Sequence, residues 1–222
     1  MTLPELDLQI VYGRVAWTIV LAALATAVWP AAWRLPRRIV AAIVAALAAL
    51  MLLPGAASPA YWLVLAFQWP SGMLVGLCLL SLMQVWQGGR AQLWLPPAMS
   101  AALALAGAAL YLDAVGLLSR GFYFWGFTEV QAPLAGLVLL GACAWAALMN
   151  LARPHALALL GALASYAVLR LPTGNVWDAV LDPFVWAWAV CASALHVRGW
   201  LRANRGAAAP QPAAPVLGRA QP

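Results

Sequence analysis

The stretch PAMSAALALAGAALYLDAVGL, residues 97–117, is an unbroken apolar run that contains a single charged residue, Asp113. A helix needs about 20 mainly apolar residues to cross the hydrocarbon core of a bilayer, so this run is long enough. Ala101, Ala104 and Ala108 lie three and four residues apart and therefore share one helix face. Because small residues let helices approach closely in lipid, the stretch predicts a transmembrane helix that packs through this alanine face.

The composition indicates that the rest of the chain has the same character. Of its 222 residues, 66% are hydrophobic and only 8% are charged, whereas ordinary soluble domains carry about 25% charged residues. So little charge cannot cover a soluble globule with polar surface. The net charge of +6 comes from arginines, which we interpret as topological anchors and not as a nucleic-acid surface. We therefore predict an all-α fold, a polytopic integral membrane helix bundle.

Seven apolar runs are predicted to span the membrane, and several of them begin at or beside a proline, which suits the first position of a helix. Four of the runs are shorter than the usual 17 residues, so a count of six stays open beside seven. A half-helix, Tyr61–Trp69, is predicted before the third run. The predicted spans are Ile10–Trp29, Ile39–Leu53, Ser71–Trp86, Pro97–Leu117, Pro133–Leu151, Ala156–Leu169 and Pro183–Val197.

The distribution of charge predicts the orientation of these seven spans. With the N-terminus outside and the C-terminus in the cytoplasm, all six acidic residues fall on the outer side, and only Arg14, Arg120 and Arg170 accompany them. The cytoplasmic side then receives the other arginines: Arg34, Arg37, Arg38, Arg90, Arg153, Arg198, Arg202, Arg205 and Arg219. Short cytoplasmic loops of membrane proteins carry such an excess of positive charge. We expect a multi-pass protein of the bacterial inner membrane.

The chain divides into one bundle and a tail. Residues 1–204 are predicted to form the transmembrane domain, and residues 205–222 a disordered cytoplasmic tail, because that Ala/Pro-rich segment has nothing to bury. Within the bundle, further small residues are predicted to mediate close helix contacts. These are Gly107 in the fourth span, Gly136, Gly141 and Ala144 in the fifth, and Gly161 in the sixth.

Polar residues near the outer ends of the spans form the first candidate site. Because an unpaired charge at that depth is costly, Asp113 is predicted either to pair with Arg120 or Arg170 or to bind a proton or substrate in an outward cavity. A further alternative is that the span ends earlier and leaves Asp113 exposed. Asp182 precedes Pro183 and is predicted to cap the seventh span, with Asp178 one turn earlier on the same side. The complete candidate site is Asp113, Arg120, Glu129, Arg170, Asp178 and Asp182.

The loop between the fourth and fifth spans forms the second candidate site. Its sequence, RGFYFWGFTE at residues 120–129, contains five aromatic residues: Phe122, Tyr123, Phe124, Trp125 and Phe127. Aromatic rings are enriched at membrane interfaces, so this loop is predicted to anchor the bundle there. The alternative is a platform that binds a lipid headgroup, a polyprenyl carrier or a partner protein.

The remaining reactive residues give no cofactor motif. Cys78, Cys143 and Cys191 stand singly inside apolar runs and are interpreted as small buried hydrophobes. His155 and His196 end neighbouring spans, a geometry that would suit a haem or metal, but both are placed too shallow, so we predict no cofactor. No motif for an activated nucleophile, a phosphate loop or a zinc site is present in the sequence.

These observations predict a non-enzymatic membrane protein that acts as an accessory, assembly or scaffold component of a larger membrane system. Its expected partners are the lipid bilayer and either another membrane protein or further copies of itself. Two alternatives stay open from the sequence. One is a small proton- or cation-coupled carrier that uses the outer aspartates, and the other is a membrane enzyme that acts on a lipid-linked substrate.

Overall fold

A computed structural model describes residues 4–30, 35–91 and 95–207, and every regular element in these ranges is helical. Within these ranges, ten α-helices follow one another, with one turn of 3-10 helix at Gly55–Ala57. They are α1 Leu6–Ala27, α2 Arg37–Met51, α3 Pro59–Phe67, α4 Gly72–Trp86, α5 Pro97–Ala114, α6 Phe122–Trp125, α7 Gln131–Leu148, α8 Arg153–Leu169, α9 Val176–Val180 and α10 Pro183–Ala207.

The predicted runs coincide with helices. The seven predicted spans correspond to α1, α2, α4, α5, α7, α8 and α10, and the predicted half-helix corresponds to α3. Three of these helices, α1, α5 and α7, are long and apolar enough to cross a membrane, and α4 and α8 are shorter apolar helices. The prediction of an all-α fold is therefore confirmed for the described residues, while the count of seven spans and their orientation stay predictions.

Most helix boundaries differ from the predicted ones, among them the C-terminal ends of α5 and α10. Helix α5 ends at Ala114 and not at Leu117, because Gly116 takes a left-handed conformation with φ +82°. The N–H of Leu117 then donates to the Leu112 carbonyl at 2.8 Å, which closes the helix end. Helix α10 continues to Ala207, so the first residues of the predicted tail are helical, and the rest of that tail lies outside the described residues.

Helix α4 lies at the centre of the bundle. It packs against α1 on one side and α8 on the other, while α2 covers α1, α7 covers α8, and α5 pairs with α10. The largest hydrophobic cluster joins α4, α5, α8, α9 and α10 and includes Met73, Leu103, Leu163 and Val185. A smaller cluster, built around Trp17 and Met51, joins α1, α2 and α3.

The closest helix contact joins α4 and α8. A Cβ atom added to Gly72 would lie 2.8 Å from the Ala162 Cβ, and one added to Gly76 would lie 2.8 Å from the Ala158 Cβ. Two glycines four residues apart therefore face two alanines four residues apart, an arrangement that lets membrane helices approach closely. The spacing of Gly72 and Gly76 was visible in the sequence, but we did not single it out.

Most of the small residues that were predicted to mediate close helix contacts do not do so. A Cβ added to Gly136, Gly141 or Gly161 would meet nothing within 4 Å, so the prediction that these glycines mediate close packing is wrong. Ala144 is half-buried, and Ala101 is exposed. In α5 the useful positions are Ala104, whose carbonyl accepts a hydrogen bond from Trp186 Nε1 at 3.1 Å, and Gly107, whose missing side chain makes room for that indole.

The helices alternate in direction so that opposite charges collect at opposite ends. The segments that carry the six acidic residues meet at one end, hereafter the acidic end, where Gln9 Nε2 donates to the Pro172 carbonyl at 2.8 Å and Tyr12 donates to the Pro70 carbonyl at 2.7 Å. The opposite helix ends form the basic end, whose described arginines are Arg37, Arg38, Arg90, Arg153, Arg198 and Arg202. Which of the two ends lies in the cytoplasm stays a prediction.

Candidate functional site

Asp113 is the centre of the polar cluster at the acidic end. Its Oδ1 accepts hydrogen bonds from the backbone N–H groups of Arg120 at 2.7 Å and Gly121 at 2.9 Å, and its Oδ2 accepts one from Tyr123 N–H at 3.0 Å. The carboxylate therefore fixes the loop that enters α6. Arg120 contributes its backbone and not its guanidinium, so the prediction of an ion pair with Arg120 or Arg170 is wrong: backbone amides replace the cation.

Arg170 contacts Tyr166 and not Asp113. Its Nη1 donates to the Tyr166 hydroxyl at 3.0 Å, and its guanidinium carbon lies 5.2 Å from the centre of the Tyr166 ring. The Tyr166 hydroxyl in turn lies 3.5 Å from the Gly126 carbonyl. Arg170 thus braces the end of α8 against the loop after α6 through a cation–π contact and a hydrogen bond.

Asp182 joins the first turns of two long helices. Its Oδ1 accepts the N–H of Val185 at 2.7 Å, which makes it the N-cap of α10, as the sequence indicated. Its Oδ2 accepts the N–H of Ser71 at 2.8 Å, at the start of α4. Asp182, Ser71 and Val185 are all buried. One carboxylate therefore satisfies two buried backbone donors on separate helices.

Asp178 and Asp182 were expected to face the same way if the short helix continued from one to the other, and the helix does not continue that far. Helix α9 ends at Val180, and Leu181 is extended with φ −135° and ψ 127°, which turns the chain between them. The Asp178 carboxylate accepts hydrogen bonds from the Thr173 hydroxyl and from the Tyr123 hydroxyl, the latter at 3.1 and 3.2 Å to its two oxygens. Both side chains that donate to this carboxylate are thus neutral hydroxyl groups.

The loop after α8 docks onto the α6 segment through Asn175. Its Oδ1 accepts the N–H of Trp177 at 2.9 Å and so caps α9, while its Nδ2 donates to the Tyr123 carbonyl at 3.2 Å. The Val176 N–H donates to the Gly126 carbonyl at 3.1 Å. Gly126 is required here because any side chain would overlap the Asn175 amide. The two loops, distant in sequence, are therefore joined as one unit.

The five aromatic residues do not form one platform. Phe122 and Trp125 contact each other edge to face, with ring centroids 4.9 Å apart, and line a groove of about 510 Å³ between α5 and α7. Tyr123 points to Asp178, and Phe127 packs against the Tyr123 ring at 6.0 Å. Phe124 is exposed. The segment thus supplies both loop contacts and interfacial surface, and it resembles the predicted anchor more than a flat binding surface.

The remaining predicted residues lie outside this cluster. Glu129 is exposed just before α7. Cys78 and Cys143 are buried, but Cys191 is exposed on α10, so its interpretation as a buried hydrophobe is wrong. His196 Nε2 lies 3.0 Å from the Leu95 carbonyl, a contact that occupies this nitrogen. Within the described residues, no group of three or more His, Cys, Asp or Glu side chains is arranged to hold a metal ion.

Burial controls the protonation of the Asp178–Tyr123 pair. Burial raises the pKa of the Asp178 carboxyl, and the charge of Asp182 acts in the same direction, while the hydrogen bonds from Thr173 and Tyr123 oppose the rise. Burial, together with the Asp178 carboxylate, raises the pKa of Tyr123 to about 12. Tyr123 therefore stays protonated at neutral pH and remains a hydrogen-bond donor to Asp178.

Replacing Asp178 with asparagine is expected to make the stability of the protein less sensitive to a rise in pH. A carboxyl whose pKa is raised on folding stabilises the fold below its unfolded pKa of about 3.9, and that contribution is lost as the pH rises through the folded pKa. The free energy of unfolding of Asp178→Asn, measured relative to that of the wild type, should therefore increase as the pH rises from 4 to 7. Detergent-titrated unfolding at each pH measures this difference.

Asp7→Asn, an exposed carboxyl at the same end, is the control for general charge effects. A constant difference between Asp178→Asn and the wild type at all pH values would contradict the assignment.

The described part of the chain is all-helical, and three of its helices are long and apolar enough to cross a membrane, which indicates the class of helical membrane proteins. No known protein family, no curated protein and no solved structure matches it. Its chemistry must therefore be argued from its own residues. The acidic end contains carboxylates engaged in holding loops and helix ends, and several of their partners, among them Ser71, Gly121 and Thr173, were not recognised from the sequence.

Proposed function

We propose that the protein is a seven-span component of the bacterial inner membrane, with its N-terminus outside and its C-terminus in the cytoplasm. The segregation of acidic and basic residues to opposite bundle ends supports this orientation. In this proposal α2, α4, α8 and α10 join the three span-length helices α1, α5 and α7 to give seven spans.

A reporter protein that works only in the cytoplasm is expected to be active when it is fused after Arg205. A reporter that works only in the periplasm is expected to be inactive at the same position. The positive-inside bias is the physical reason, since inverting the bundle would export the arginines of the basic end. Activity of a periplasm-specific reporter at this position would reject the orientation.

Within that membrane we propose a non-enzymatic accessory, assembly or scaffold role. The observation that carries this proposal is the use of Asp113 and Asp182 as acceptors for five backbone N–H groups in all, three and two respectively. Carboxylates bonded in this way hold loops and helix ends together and have little capacity left for a substrate. A carrier or an enzyme with its site at this end would have to use Asp178 as its main carboxylate.

The surface of α7 supports a role in contacts with other membrane components. Only 11% of its membrane-spanning window is buried within the chain, against 39% for α1. It packs on α8 and α9 and presents large apolar side chains away from them, including Leu137 and Trp145. Lipid contacts such a face by default, and a neighbouring membrane helix is equally compatible with it.

Cross-linking in native membranes tests the accessory role. A photoreactive amino acid at Leu137, which is 64% exposed, should give a discrete adduct with one larger membrane protein, identified by mass spectrometry after mild detergent extraction. The matched control places the same group at Leu163, which is buried in the bundle and should give no such adduct. Adducts only with lipid, or only with a second copy of the chain, would reject the accessory role.

A further inference from the structure

A second apolar groove, separate from the polar cluster, lies between α1, α4 and α10. It has a volume of about 460 Å³ and is lined almost entirely by apolar side chains. Leu21, Leu77, Leu80 and Trp188 contribute to its walls. We propose that this groove binds one acyl chain of an anionic phospholipid whose phosphate headgroup lies at the basic end.

The groove is closed at the end nearer the acidic residues. Trp17, Phe67 and Phe184 all line it and contact one another. The ring of Phe184 lies 5.9 Å from that of Trp17 and 5.4 Å from that of Phe67, and the third pair is 6.2 Å apart. Edge contacts between three rings build a compact wall. A chain lying in the groove must therefore have its head at the other end.

The length of the groove matches one leaflet. Along α4 its lining runs from Leu74 to Gln84. Ten residues of α-helix rise about 15 Å, which is half of the roughly 30 Å hydrocarbon core of a bilayer. The volume also falls within the range of about 300–1,000 Å³ that is usual for ligand sites. The groove thus has the dimensions of one acyl chain from a single leaflet.

The open end of the groove is polar and surrounded by positive charge. Gln84 and His155 line it, and Arg153 immediately precedes its lining residues Pro154 and His155. The Nε of Arg37 donates to the Trp86 carbonyl at 2.9 Å, two residues beyond Gln84. The six acidic residues of the chain all lie at the opposite end of the bundle. This charge favours an anionic headgroup over a zwitterionic one.

The lipid site is tested by native mass spectrometry of the full-length purified protein. Equimolar dioleoyl phosphatidylglycerol and dioleoyl phosphatidylcholine are added, and the bound fraction of each is measured. The wild type should retain the anionic lipid preferentially. Arg153→Gln should lower that preference roughly fivefold, the factor that corresponds to about 1 kcal/mol for one basic residue near an anionic headgroup.

Variants of the groove itself separate chain binding from headgroup binding. Leu80→Trp fills the groove and should reduce retention of both lipids, whereas Leu79→Trp, at an exposed neighbouring position outside the lining, should not. Arg202→Gln, an exposed arginine at the same end, controls for loss of charge alone. Equal retention of the two lipids by the wild type, or equal effects of the two tryptophan variants, would overturn the proposal. Because no partner protein enters the assay, its failure is distinguishable from failure of the accessory role.

Discussion

Asp182→Ala is expected to lower the free energy of unfolding by roughly 2–6 kcal/mol, because it leaves two buried backbone N–H groups without an acceptor at about 1–3 kcal/mol each. The donors belong to Ser71 and Val185, which are 0% and 1% exposed. No other acceptor replaces the carboxylate between the two helix starts unless the helices move. The start of α4 should therefore separate from α10, and the abundance of the protein in the membrane should fall.

Unfolding of the purified variant by added SDS in mixed micelles, followed by circular dichroism, measures the change. Asp182→Asn retains one carbonyl oxygen, which can accept one of the two N–H groups, so its loss should be intermediate. Asp7→Ala removes an exposed carboxyl from the same end and is the matched control. If Asp182→Ala and Asp7→Ala unfold at the same SDS fraction, the bridging role is refuted.

Gly76→Ala is expected to destabilise the bundle by about 1–3 kcal/mol, the usual cost of overpacking a close contact. The new Cβ would lie 2.8 Å from the Ala158 Cβ and 3.1 Å from its Cα, so α4 and α8 must move apart. Alanine otherwise favours a helix over glycine by roughly 0.5–1 kcal/mol. A net loss would therefore show that the close approach of the two helices matters more than helix propensity.

Gly141→Ala supplies the matched control, because its Cβ would meet nothing within 4 Å. This variant should be neutral or slightly stabilising in the same SDS titration. Adding Ala158→Gly to Gly76→Ala removes the opposing Cβ and should restore a substantial part of the lost stability, as a double-mutant cycle for residues in contact requires. Equal behaviour of Gly76→Ala and Gly141→Ala would show that α4 and α8 are not in close contact.

The sequence was sufficient for the positions of the helices and for the cap at Asp182. Long apolar runs between prolines and arginines allow only helices in a bilayer, because each helix satisfies its own backbone hydrogen bonds. The Asp-Pro pair at 182–183 is a local signal for a helix start, and local signals survive in any tertiary context. The segregation of charge likewise follows from the sequence. The chain reverses direction between successive apolar runs, so alternate connecting segments, acidic or basic, lie at the same end.

Only the tertiary structure decided which residues meet. Pairs of glycines occur in both α4 and α7, but α4 is central whereas α7 is peripheral. Gly72 and Gly76 of α4 therefore face another helix, and Gly136 and Gly141 of α7 do not. An arginine was one predicted partner of Asp113, yet the loop entering α6 folds back and supplies backbone donors instead. Backbone donors are present at every residue except proline, so their convergence on one carboxylate leaves no pattern in the sequence. Composition thus determined the helical membrane class, while loop geometry determined the role of each polar residue.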